Sequence, residues 1–338
     1  MIRVSIVGAS GYTGAELAGL VHKHPEFEIA GLYVSENSSD AYKAFSAIHG
    51  QFAYQIDRTL IPISEQQIGK VVAECDAIFL CTPHEASVEM VHQIIKAGGV
   101  VFDLSGAYRL SDLAVINQYY GFAHKYPDLL AEAVYGLAEW NHEAIKKTDL
   151  ISVPGCYPTA SLTALKPLQE AKLIDSNVLP VINATSGVTG AGRSAKLSSS
   201  FCEVSLNPYG VMGHRHLPEI SEHLGNPVIF TPHLGNFKRG ILATITLKLA
   251  DGVTAAQVNS VFKDAYEGHP IVRLRQAWPS IQAVERTPFV DLHWQLDENT
   301  GYLIVVSAID NLLKGAAGQA MQCANLRFGF AVDKGLVN

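Results

Sequence analysis

The chain has 338 residues, of which 48% are hydrophobic and 17% charged, and its formal net charge is −7 at pH 7. A chain of this size and composition buries enough apolar surface to fold without disulfides or metals, and two domains are the natural expectation. The acidic balance, with no Lys/Arg-rich run and no long apolar stretch, argues against nucleic-acid and membrane partners.

The amino-terminal segment and the cysteines bear on the cellular compartment. The apolar segment Val4–Val7 is too short for the core of a signal peptide, and no small-residue cleavage site follows it. The cysteines are odd in number, scattered and never arranged as paired CxxC ligands, which suits free thiols in a reducing compartment. They are Cys75, Cys81, Cys156, Cys202 and Cys323. We therefore expect a cytoplasmic protein.

The first hundred residues alternate short β-branched runs with amphipathic stretches, which is the pattern of βαβ units. In chain order these segments are Val4–Val7, Ala15–His22, Ile29–Val34, Ala77–Leu80, Ala86–Ala97 and Val100–Asp103. Such units build a parallel sheet with helices on both faces, and ligands bind outside the carboxyl ends of its strands. The sequence therefore predicts an α/β fold that begins with a Rossmann-type domain.

From about Leu150 the pattern changes to longer alternating runs, such as Ile241–Leu247 and Tyr302–Val306. Alternation of this kind is typical of a half-exposed, mostly antiparallel sheet, so we expect a second domain of α+β type. A helical period returns from Leu313 to Phe328, with a small-residue face that predicts close packing.

A glycine pattern follows the first predicted strand and precedes the first predicted helix, in the segment Gly8-Ala9-Ser10-Gly11-Tyr12-Thr13-Gly14. Gly8 permits a tight turn, Gly11 lets the backbone approach a pyrophosphate, and Gly14 allows close contact between helix and strand. The N–H groups of the helix start would bind the anion. A turn that serves only packing is the alternative, but the βαβ context favours a dinucleotide site.

The choice between NAD and NADP depends on the end of the second strand, where NAD enzymes tend to place an acid for the ribose hydroxyls. That end reads Val34-Ser35-Glu36-Asn37-Ser38. Ser35 and Ser38 could accept a 2′-phosphate, whereas Glu36 could bond a ribose or point into water. No Arg stands beside them, so these residues alone leave the cofactor open.

Cys156 lies where a predicted strand, Leu150–Val153, meets a stretch of helix formers after Pro154-Gly155. Pro158 suits the first helical turn. A thiol at a helix amino terminus is favoured as the thiolate, which is the form that attacks acyl carbon. The alternative is a small buried hydrophobe, which is our expectation for the other four cysteines. The turn and the nearby histidines favour a nucleophile at Cys156.

Titratable groups are concentrated in the segment Tyr209–Ile220, which has glycines near its start and a proline near its end. Segments of this kind often carry functional residues. We expect His216 to be the acid/base that protonates an oxyanion and helps to keep Cys156 ionised, and His214 to contact substrate. The reverse assignment and a structural histidine remain alternatives. Zinc is disfavoured because no third and fourth ligands stand nearby at metal-site spacing.

Two further segments follow predicted strands. Asp103–Arg109 ends in an arginine that could clamp a carboxylate or phosphate bidentately, although a surface ion pair is the alternative. Asn183–Arg193 is rich in glycine and hydroxyl groups and could line the nicotinamide side of a cleft, although a simple turn uses similar residues. Cys81 ends a strand that faces the expected cofactor crevice.

The sequence resembles the N-acetyl-γ-glutamyl-phosphate reductases of arginine biosynthesis, which are related in fold to aspartate-semialdehyde dehydrogenase and glyceraldehyde-3-phosphate dehydrogenase. The likeness runs along essentially the whole chain, and its most specific segments are VPGCYPTA at Val153–Ala160 and HRHLPEI at His214–Ile220. The other matching segments are Gly8–Leu17, Phe102–Arg109, Asn183–Arg193 and Asn311–Ala320.

The resemblance implies NADPH-dependent reduction of N-acetyl-γ-glutamyl phosphate to N-acetylglutamate 5-semialdehyde and phosphate, through a thioester on Cys156 with His216 as acid/base. It also implies a homo-oligomer, either a dimer or a tetramer, and the spacing of the possible ligands gives no reason to expect a metal. We place the NADP-binding domain, completed by the carboxyl-terminal helix, at residues 1–153 and 313–338. The catalytic and oligomerisation domain takes residues 154–312.

Further site residues are expected from the resemblance and from the segments above. Those expected at the cofactor are Gly8, Ala9, Ser10, Gly11, Tyr12, Thr13, Gly14, Ser35, Ser38, Cys81, Thr82, Ser186, Gly187 and Asn311. Those expected at the substrate are Ser105, Arg109, Tyr209, His214 and Glu219. Some relatives carry an Arg just after the second strand that this chain lacks, so the 2′-phosphate contact has no assigned residue.

Two other functions remain as alternatives. One is another semialdehyde dehydrogenase of the same fold, such as an enzyme acting on aspartyl phosphate, since the covalent chemistry would be shared. The other is a non-catalytic NADP-binding redox sensor in which Cys156 responds to oxidation. The second is disfavoured because sensing has no need of the HRHLPEI segment.

Overall fold

The structure is a computed structural model that describes residues 1–337. The chain divides into two compact units: unit 1 comprises Met1–Gly155 and Ala316–Asn338, and unit 2 comprises Cys156–Gly315. Asn338, the last residue of the expected first domain, lies outside the described residues.

Unit 1 contains a sheet of seven strands, all of them parallel, which confirms the predicted Rossmann-type sheet. The strands are β1 (Ile2–Val7), β2 (Phe27–Ser35), β3 (Ile61–Ile63), β4 (Ala77–Leu80), β5 (Val100–Asp103), β6 (Val134–Tyr135) and β7 (Leu150–Ser152). Their order in the sheet is β3-β2-β1-β4-β5-β7-β6. The direction of winding reverses between β1 and β4, and this switch point is where ligands bind in doubly wound folds.

Seven helices of unit 1 connect these strands. They are α1 (Tyr12–Lys23), α2 (Phe45–Ile48), α3 (Ile68–Val72), α4 (His84–Lys96), α5 (Leu113–Tyr120), α6 (Pro127–Glu132) and α7 (Ala138–Ile145). Short 3₁₀ turns occupy Gly50–Phe52 and Glu65–Gln67.

Side chains that alternate along β1 divide the apolar interior of unit 1 into two layers. Ile6 belongs to the layer that also contains Leu17 of α1, whereas Val7 belongs to the layer that contains Val91 of α4. Every residue of β4 and β5 is buried, as central parallel strands covered on both faces require. The βαβ pattern in the sequence was therefore a reliable signal of this unit.

Unit 2 contains a second sheet of seven strands in the order β12-β13-β14-β11-β8-β10-β9. The strands are β8 (Val181–Gly187), β9 (Asn207–Pro208), β10 (Ile229–Gly235), β11 (Ile241–Lys248), β12 (Val272–Leu274), β13 (Val290–Asp297) and β14 (Tyr302–Ile309). Only the pairs β8/β10 and β12/β13 are parallel, so the predicted mostly antiparallel sheet is confirmed.

The helices of unit 2 are α8 (Cys156–Glu170), α9 (His216–Leu224), α10 (Ala255–Tyr266) and α11 (Ile281–Val284). Short 3₁₀ turns occupy Val188–Ala191 and Leu197–Ser199. Along β11 buried and half-buried residues alternate strictly, because one face of the sheet carries α8 and the other is more open. Helix α8 also contacts α9, α10 and β14, so it is the central helix of the unit.

Pro167 lies inside α8, where it cannot donate the backbone hydrogen bond that would satisfy the carbonyl of Thr163. The hydroxyl of Tyr266 in α10 donates to that carbonyl at 2.8 Å instead. A side chain from a neighbouring helix thus compensates for the proline, and α8 continues to Glu170.

The predicted helix from Leu313 to Phe328 consists of two parts, a π-helix at Leu313–Ala317 and α12 at Gly318–Arg327. In α12 the small residues Ala320 and Ala324 are fully buried in the unit 1 core, where α12 contacts α1 and α7. Within residues 1–337, no helix is long and apolar enough to cross a membrane.

Candidate active site

The glycine loop lies at the switch point of the unit 1 sheet, between the ends of β1 and β4. Gly8 has φ +85°, and a Cβ added there would lie 2.3 Å from the carbonyl oxygen of Cys81. A Cβ at Gly14 would lie 2.5 Å from the carbonyl oxygen of Gly8. Gly11 has more room, since the nearest atom to its Cβ position is 3.5 Å away. Side chains are therefore excluded at Gly8 and Gly14, while Gly11 leaves the surface of the loop open to a ligand.

Backbone hydrogen bonds hold the loop in place. The N–H groups of Gly8 and Ala9 both donate to the carbonyl of Tyr33 in β2, at 2.9 and 3.0 Å. His49, which the sequence did not single out, places Nε2 3.1 Å from the carbonyl oxygen of Ser10. Its segment carries no recognisable motif, so only the fold reveals this contact.

The first turn of α1, which begins at Tyr12, has no side-chain cap. The N–H groups of Tyr12, Thr13 and Gly14 belong to this turn, whose donors have no acceptor within the helix. An uncapped helix start behind an open glycine loop fits a pyrophosphate, because backbone N–H groups and the helix dipole both favour an anion there. The loop of unit 1 therefore fits the pyrophosphate of a dinucleotide.

Ser35 and Ser38 lie in one turn at the end of β2, where the N–H of Ser38 donates to the carbonyl of Ser35 at 2.9 Å. The Ser38 hydroxyl accepts from the N–H of Asp40 at 3.2 Å. Lys43 pairs with Asp40 at 3.2 Å and is the basic residue nearest along the chain to this turn. The 2′-phosphate role of the two serines stays a prediction.

Cys81 and Thr82 follow β4 beside the glycine loop. Burial raises the pKa of the Cys81 thiol to about 12, and the Asp103 carboxylate adds to the shift. Cys81 is therefore a neutral thiol at physiological pH. The Thr82 hydroxyl is 2.7 Å from the Ser87 hydroxyl in α4. Both residues lie where a cofactor contact was expected, and that contact stays a prediction.

Ser105 and Arg109 follow β5 in unit 1. Ser105 donates through its hydroxyl to the Asp103 carboxylate at 2.8 Å. Arg109 is only 7% exposed and donates from Nε to the carbonyl of Val153 and from Nη2 to the carbonyl of Leu104. The surface position considered for Arg109 is therefore wrong, because its guanidinium is buried and donates to two backbone carbonyls. Substrate contact by either residue stays a prediction.

Cys156 is the first residue of α8, so the predicted sequence of strand, turn and helix is confirmed at β7 and α8. The thiol is half-buried, and Pro158 occupies the first helical turn as expected. The partial positive charge of the helix start favours the thiolate over the thiol. The electrostatic setting proposed for a nucleophile is present.

Tyr157 brings the two histidines to the first turn of α8. Its ring contacts those of His214 and His216, with centroids 5.6 and 5.9 Å away. Its hydroxyl donates to the carbonyl of His233 and accepts from the hydroxyl of Tyr209, each at 3.1 Å. Burial raises the pKa of Tyr209, and the charge of Cys156 raises it further. Tyr157 was missed from the sequence, although it lies next to the predicted nucleophile.

His214 and His216 have different settings. The backbone N–H of His216 donates to Nδ1 of His214 at 3.1 Å, so the ring proton of neutral His214 lies on Nε2. Burial lowers the pKa of His214 to about 4, and the charge of Arg215 lowers it further. His214 is therefore neutral near pH 7, and its protonation state does not change near that pH.

His216 begins α9 and is 6% exposed, with Nε2 4.0 Å from the carboxylate of the fully buried Glu219. A carboxylate at this distance stabilises the imidazolium form of a histidine. The setting therefore favours His216 over His214 as the acid/base, and its role stays a prediction together with the substrate contact of Glu219.

Ser186, Gly187 and Asn311 meet at the ends of β8, β11 and β14 in unit 2. The Asn311 side chain accepts from the N–H of Gly240 at 2.7 Å and donates to the Thr189 hydroxyl at 3.0 Å. A Cβ on Gly187 would lie 2.6 Å from the nitrogen of Arg239. Asn311 thus fixes the glycine-rich loop, while contact with a nicotinamide stays a prediction.

A metal site was not expected from the sequence. In the part of the chain that the structure describes, no group of three His, Cys, Asp or Glu side chains could hold a metal ion.

The lowered pKa of His214 predicts a pH-dependent part of the stability. Below pH 6.5 the unfolded chain binds a proton at His214 that the folded chain accepts only near pH 4, so this contribution is complete above pH 6.5 and is lost as the pH falls towards 4. We expect the free energy of unfolding of His214→Asn to fall less than that of the wild type over this range, by up to about 3 kcal/mol.

Urea unfolding between pH 7.5 and 4.5 measures this difference. His142→Asn, at an exposed histidine of unit 1, is the control and should follow the wild-type pH dependence. Parallel curves for the wild type and His214→Asn would contradict the assignment of a buried neutral ring.

Two family models match the chain, both of the semialdehyde dehydrogenases. Residues 3–148 match the NAD binding domain, and residues 156–311 match the dimerisation domain. Two aspartate semialdehyde dehydrogenases of known structure have the same fold. One, from Vibrio cholerae and complexed with ASA, has a TM-score of 0.73 at 18% identity over 97% of this chain and 98% of that chain. The other, from Candida albicans with NADP, has a TM-score of 0.68 at 16% identity over 96% and 98%.

Curated relatives named N-acetyl-gamma-glutamyl-phosphate reductase match over the full length. The protein from Pseudoalteromonas atlantica is 60% identical over 100% of this chain and 99% of its own. Those from Tolumonas auensis and Aliivibrio fischeri are 59% and 58% identical over 100% of both chains. With a glycine loop that fits a nicotinamide dinucleotide and a cysteine at a helix start, this chain belongs to the N-acetyl-γ-glutamyl-phosphate reductases, a family of oxidoreductases.

Proposed function

We propose that the chain catalyses the NADPH-dependent reduction of N-acetyl-γ-glutamyl phosphate to N-acetylglutamate 5-semialdehyde and phosphate. The observation that carries the proposal is Cys156 at the amino terminus of α8, with Tyr157 linking that turn to His214 and His216. An acyl phosphate is a substrate suited to this arrangement, because a thiolate displaces phosphate from it directly.

Cys156 acts as the nucleophile. Its thiolate attacks the acyl carbon, the bond from that carbon to the phosphate oxygen breaks, and a thioester forms as phosphate leaves. The first turn of α8 stabilises the thiolate, and backbone N–H groups near Cys156 stabilise the oxyanion of each tetrahedral intermediate. After reduction the thiohemiacetal collapses, which releases the aldehyde and restores the thiolate.

His216 acts as the acid/base. It protonates the oxyanion that forms when the thioester carbonyl is reduced, and it takes that proton back when the thiohemiacetal collapses. The buried Glu219, 4.0 Å from His216, supports the protonated ring. The residues proposed to contact the substrate are Ser105, Arg109, Tyr209, His214 and Glu219.

The cofactor in this proposal is NADPH, which would supply a hydride to the thioester carbonyl carbon. The loop Gly8–Gly14 would hold its pyrophosphate, and Cys81 and Thr82 lie beside that loop. Ser35 and Ser38 would donate to the 2′-phosphate, and Ser186, Gly187 and Asn311 would contact the nicotinamide. The full-length relatives support this cofactor through the reaction that their shared name implies.

We also propose a homo-oligomer, a dimer or a tetramer, built through unit 2. The family model that matches this unit describes a dimerisation domain, and large apolar side chains of the unit are exposed: Leu197 (76%), Phe201 (94%) and Leu206 (63%). Apolar surface of this kind is common at protein interfaces. We further propose a cytoplasmic location, because the sequence scatters its five cysteines and never arranges them as paired CxxC ligands.

The reverse reaction tests the substrate and the cofactor together. We expect phosphate-dependent reduction of NADP with N-acetylglutamate semialdehyde, at a kcat/KM at least about 100-fold above that with aspartate semialdehyde, since buried polar groups discriminate strongly between substrates. NAD should be used less well than NADP. Activity with aspartate semialdehyde alone would contradict the substrate, and equal turnover with NAD would contradict the cofactor preference.

Replacing the nucleophile separates covalent chemistry from cofactor binding. Cys156→Ser should lower kcat by at least about 1000-fold, because a serine hydroxyl without an adjacent strong base is a poor nucleophile. NADPH binding, measured by fluorescence titration, should remain. Cys202→Ser, at an exposed cysteine of the same unit, is the matched control and should retain activity. Substantial turnover by Cys156→Ser would remove the thioester from the mechanism.

The acid/base is tested through the pH dependence of the rate. His216→Asn should lower kcat by about 100-fold or more and flatten the pH–rate profile near neutrality, since it removes the titrating group. His142→Asn again serves as the control at an exposed position. A normal profile in His216→Asn, together with a flattened one in His214→Asn, would reverse the two assignments.

A further inference from the structure

Gly315 lies against the nucleophile in unit 2. It belongs to the π-helix Leu313–Ala317 that follows β14. A Cβ added to Gly315 would lie 2.8 Å from Cβ of Cys156 and 3.2 Å from its Cα. Carbon atoms that are not bonded to each other do not approach to 2.8 Å without a shift of one of them. Only glycine therefore fits while Cys156 stays where it is.

The position of Gly315 is fixed by Asp310, a fully buried residue directly after β14. One carboxylate oxygen accepts from the N–H groups of Leu312 and Leu313, each at 2.8 Å. The backbone carbonyl of Asp310 accepts from the N–H of Gly315 at 2.9 Å. Asp310 therefore fixes the turn from Asp310 to Gly315 through hydrogen bonds of its carboxylate and its backbone carbonyl.

The same carboxylate ties this turn to two other parts of unit 2. Its second oxygen accepts from Nε of Arg239 at 2.5 Å and from the N–H of Arg286 at 2.6 Å. Arg239 precedes β11 and is 7% exposed. A buried charge pair with several hydrogen bonds is rigid, because moving either partner leaves a charge unsatisfied.

We propose that Gly315 is a positioning residue for Cys156. Its missing side chain lets the Asp310-anchored turn lie directly against the Cys156 backbone and Cβ, and this contact sets the place of the sulfur at the amino end of α8. The inference rests on the proposed role of Cys156 as nucleophile. A π-helix at this point agrees with it, since such turns occur often at functional sites.

Displacement of Cys156 has two consequences. The effect of the helix start on a charge is confined to the first turn, so a shifted thiolate loses part of its stabilisation. A misplacement of about 1 Å at a reacting group can also lower a rate by about 100-fold. Both effects act on the reactivity of the thiol, whereas binding of the remainder of the substrate is left largely unchanged.

The first experiment compares Gly315→Ala with Gly69→Ala in the purified full-length protein. Gly69 lies in α3, and a Cβ there meets nothing within 4 Å, so it is a matched control for glycine replacement in a helix. We expect Gly315→Ala to lower kcat at least about tenfold with a change in KM below about twofold. Gly69→Ala should match the wild type.

The reactivity of the thiol gives a readout that needs no substrate. Alkylation of Cys156 by iodoacetamide, followed by peptide mass spectrometry so that Cys202 is counted separately, should show a higher apparent pKa in Gly315→Ala than in the wild type. A merely structural role of Gly315 would lower stability without moving this pKa. Unchanged kcat and an unchanged alkylation profile would overturn the proposal.

The second experiment is a double-mutant cycle on stability. Cys156→Ala keeps the Cβ that Gly315→Ala would meet, whereas Cys156→Gly removes it. We expect Gly315→Ala to lower the melting temperature by several degrees in the Cys156→Ala background and much less in the Cys156→Gly background. Equal losses in the two backgrounds would overturn the proposal.

These measurements also cover a folding failure of Gly315→Ala. Gly315→Ala supports the contact if it is insoluble in the wild-type and Cys156→Ala backgrounds but folds in the Cys156→Gly background. If Gly315→Ala is insoluble in all three backgrounds, the contact is contradicted. The cycle uses no substrate, so it is independent of the proposed reaction. Full activity of Cys156→Ser would contradict the proposed reaction. The stability result would then show only that Gly315 packs against Cys156.

Discussion

The start of helix α8 at Cys156 is the constraint on which the proposed reaction depends. A thiol is a weak nucleophile, and the start of a helix is one of the few neutral structures that favours its ionised form. Helix α8 begins at Cys156, so the partial positive charge of its first turn lies at that residue. Its burial against α9, α10, β11 and β14 fixes that helix, and the proline-glycine pair before it ends the preceding segment.

The aromatic cluster around Tyr157 gives two neighbouring histidines different surroundings. His214 is enclosed by Tyr157, Tyr209 and Phe230, and a backbone N–H occupies its Nδ1, so it stays neutral. His216 has a buried carboxylate nearby. Two residues apart in the chain, the histidines differ in setting, because aromatic rings enclose His214 whereas His216 lies 4.0 Å from the Glu219 carboxylate.

Much of the fold could be predicted, because local periodicity reports local structure. The strands expected at Ala77–Leu80 and Val100–Asp103 are β4 and β5, and the helix expected after Pro154-Gly155 begins at Cys156. Helix α1 begins at Tyr12, three residues earlier than its apolar period at Ala15 suggested, because the turn after Gly11 needs no apolar residue to begin a helix.

The supporting residues of the site could not be predicted, since they act through contacts between distant parts of the chain. Asp310 and Arg239 are 71 residues apart, and His49 meets Ser10 across 39 residues. Gly315 is one of 28 glycines, and nothing in its own neighbourhood of the sequence says that Cys156 lies against it. Motifs identify groups that react, while the groups that hold them become visible only in three dimensions.

The proline inside α8 has a consequence for how related sequences can diverge. The Tyr266 hydroxyl donates to the Thr163 carbonyl, which Pro167 cannot do. The effect of replacing Tyr266 therefore depends on whether residue 167 is a proline. A lineage that loses the tyrosine first carries a buried carbonyl without a donor, whereas one that loses the proline first regains a backbone amide and can then vary residue 266 freely. Evolution at these two positions is therefore expected to follow one order of steps and not the reverse.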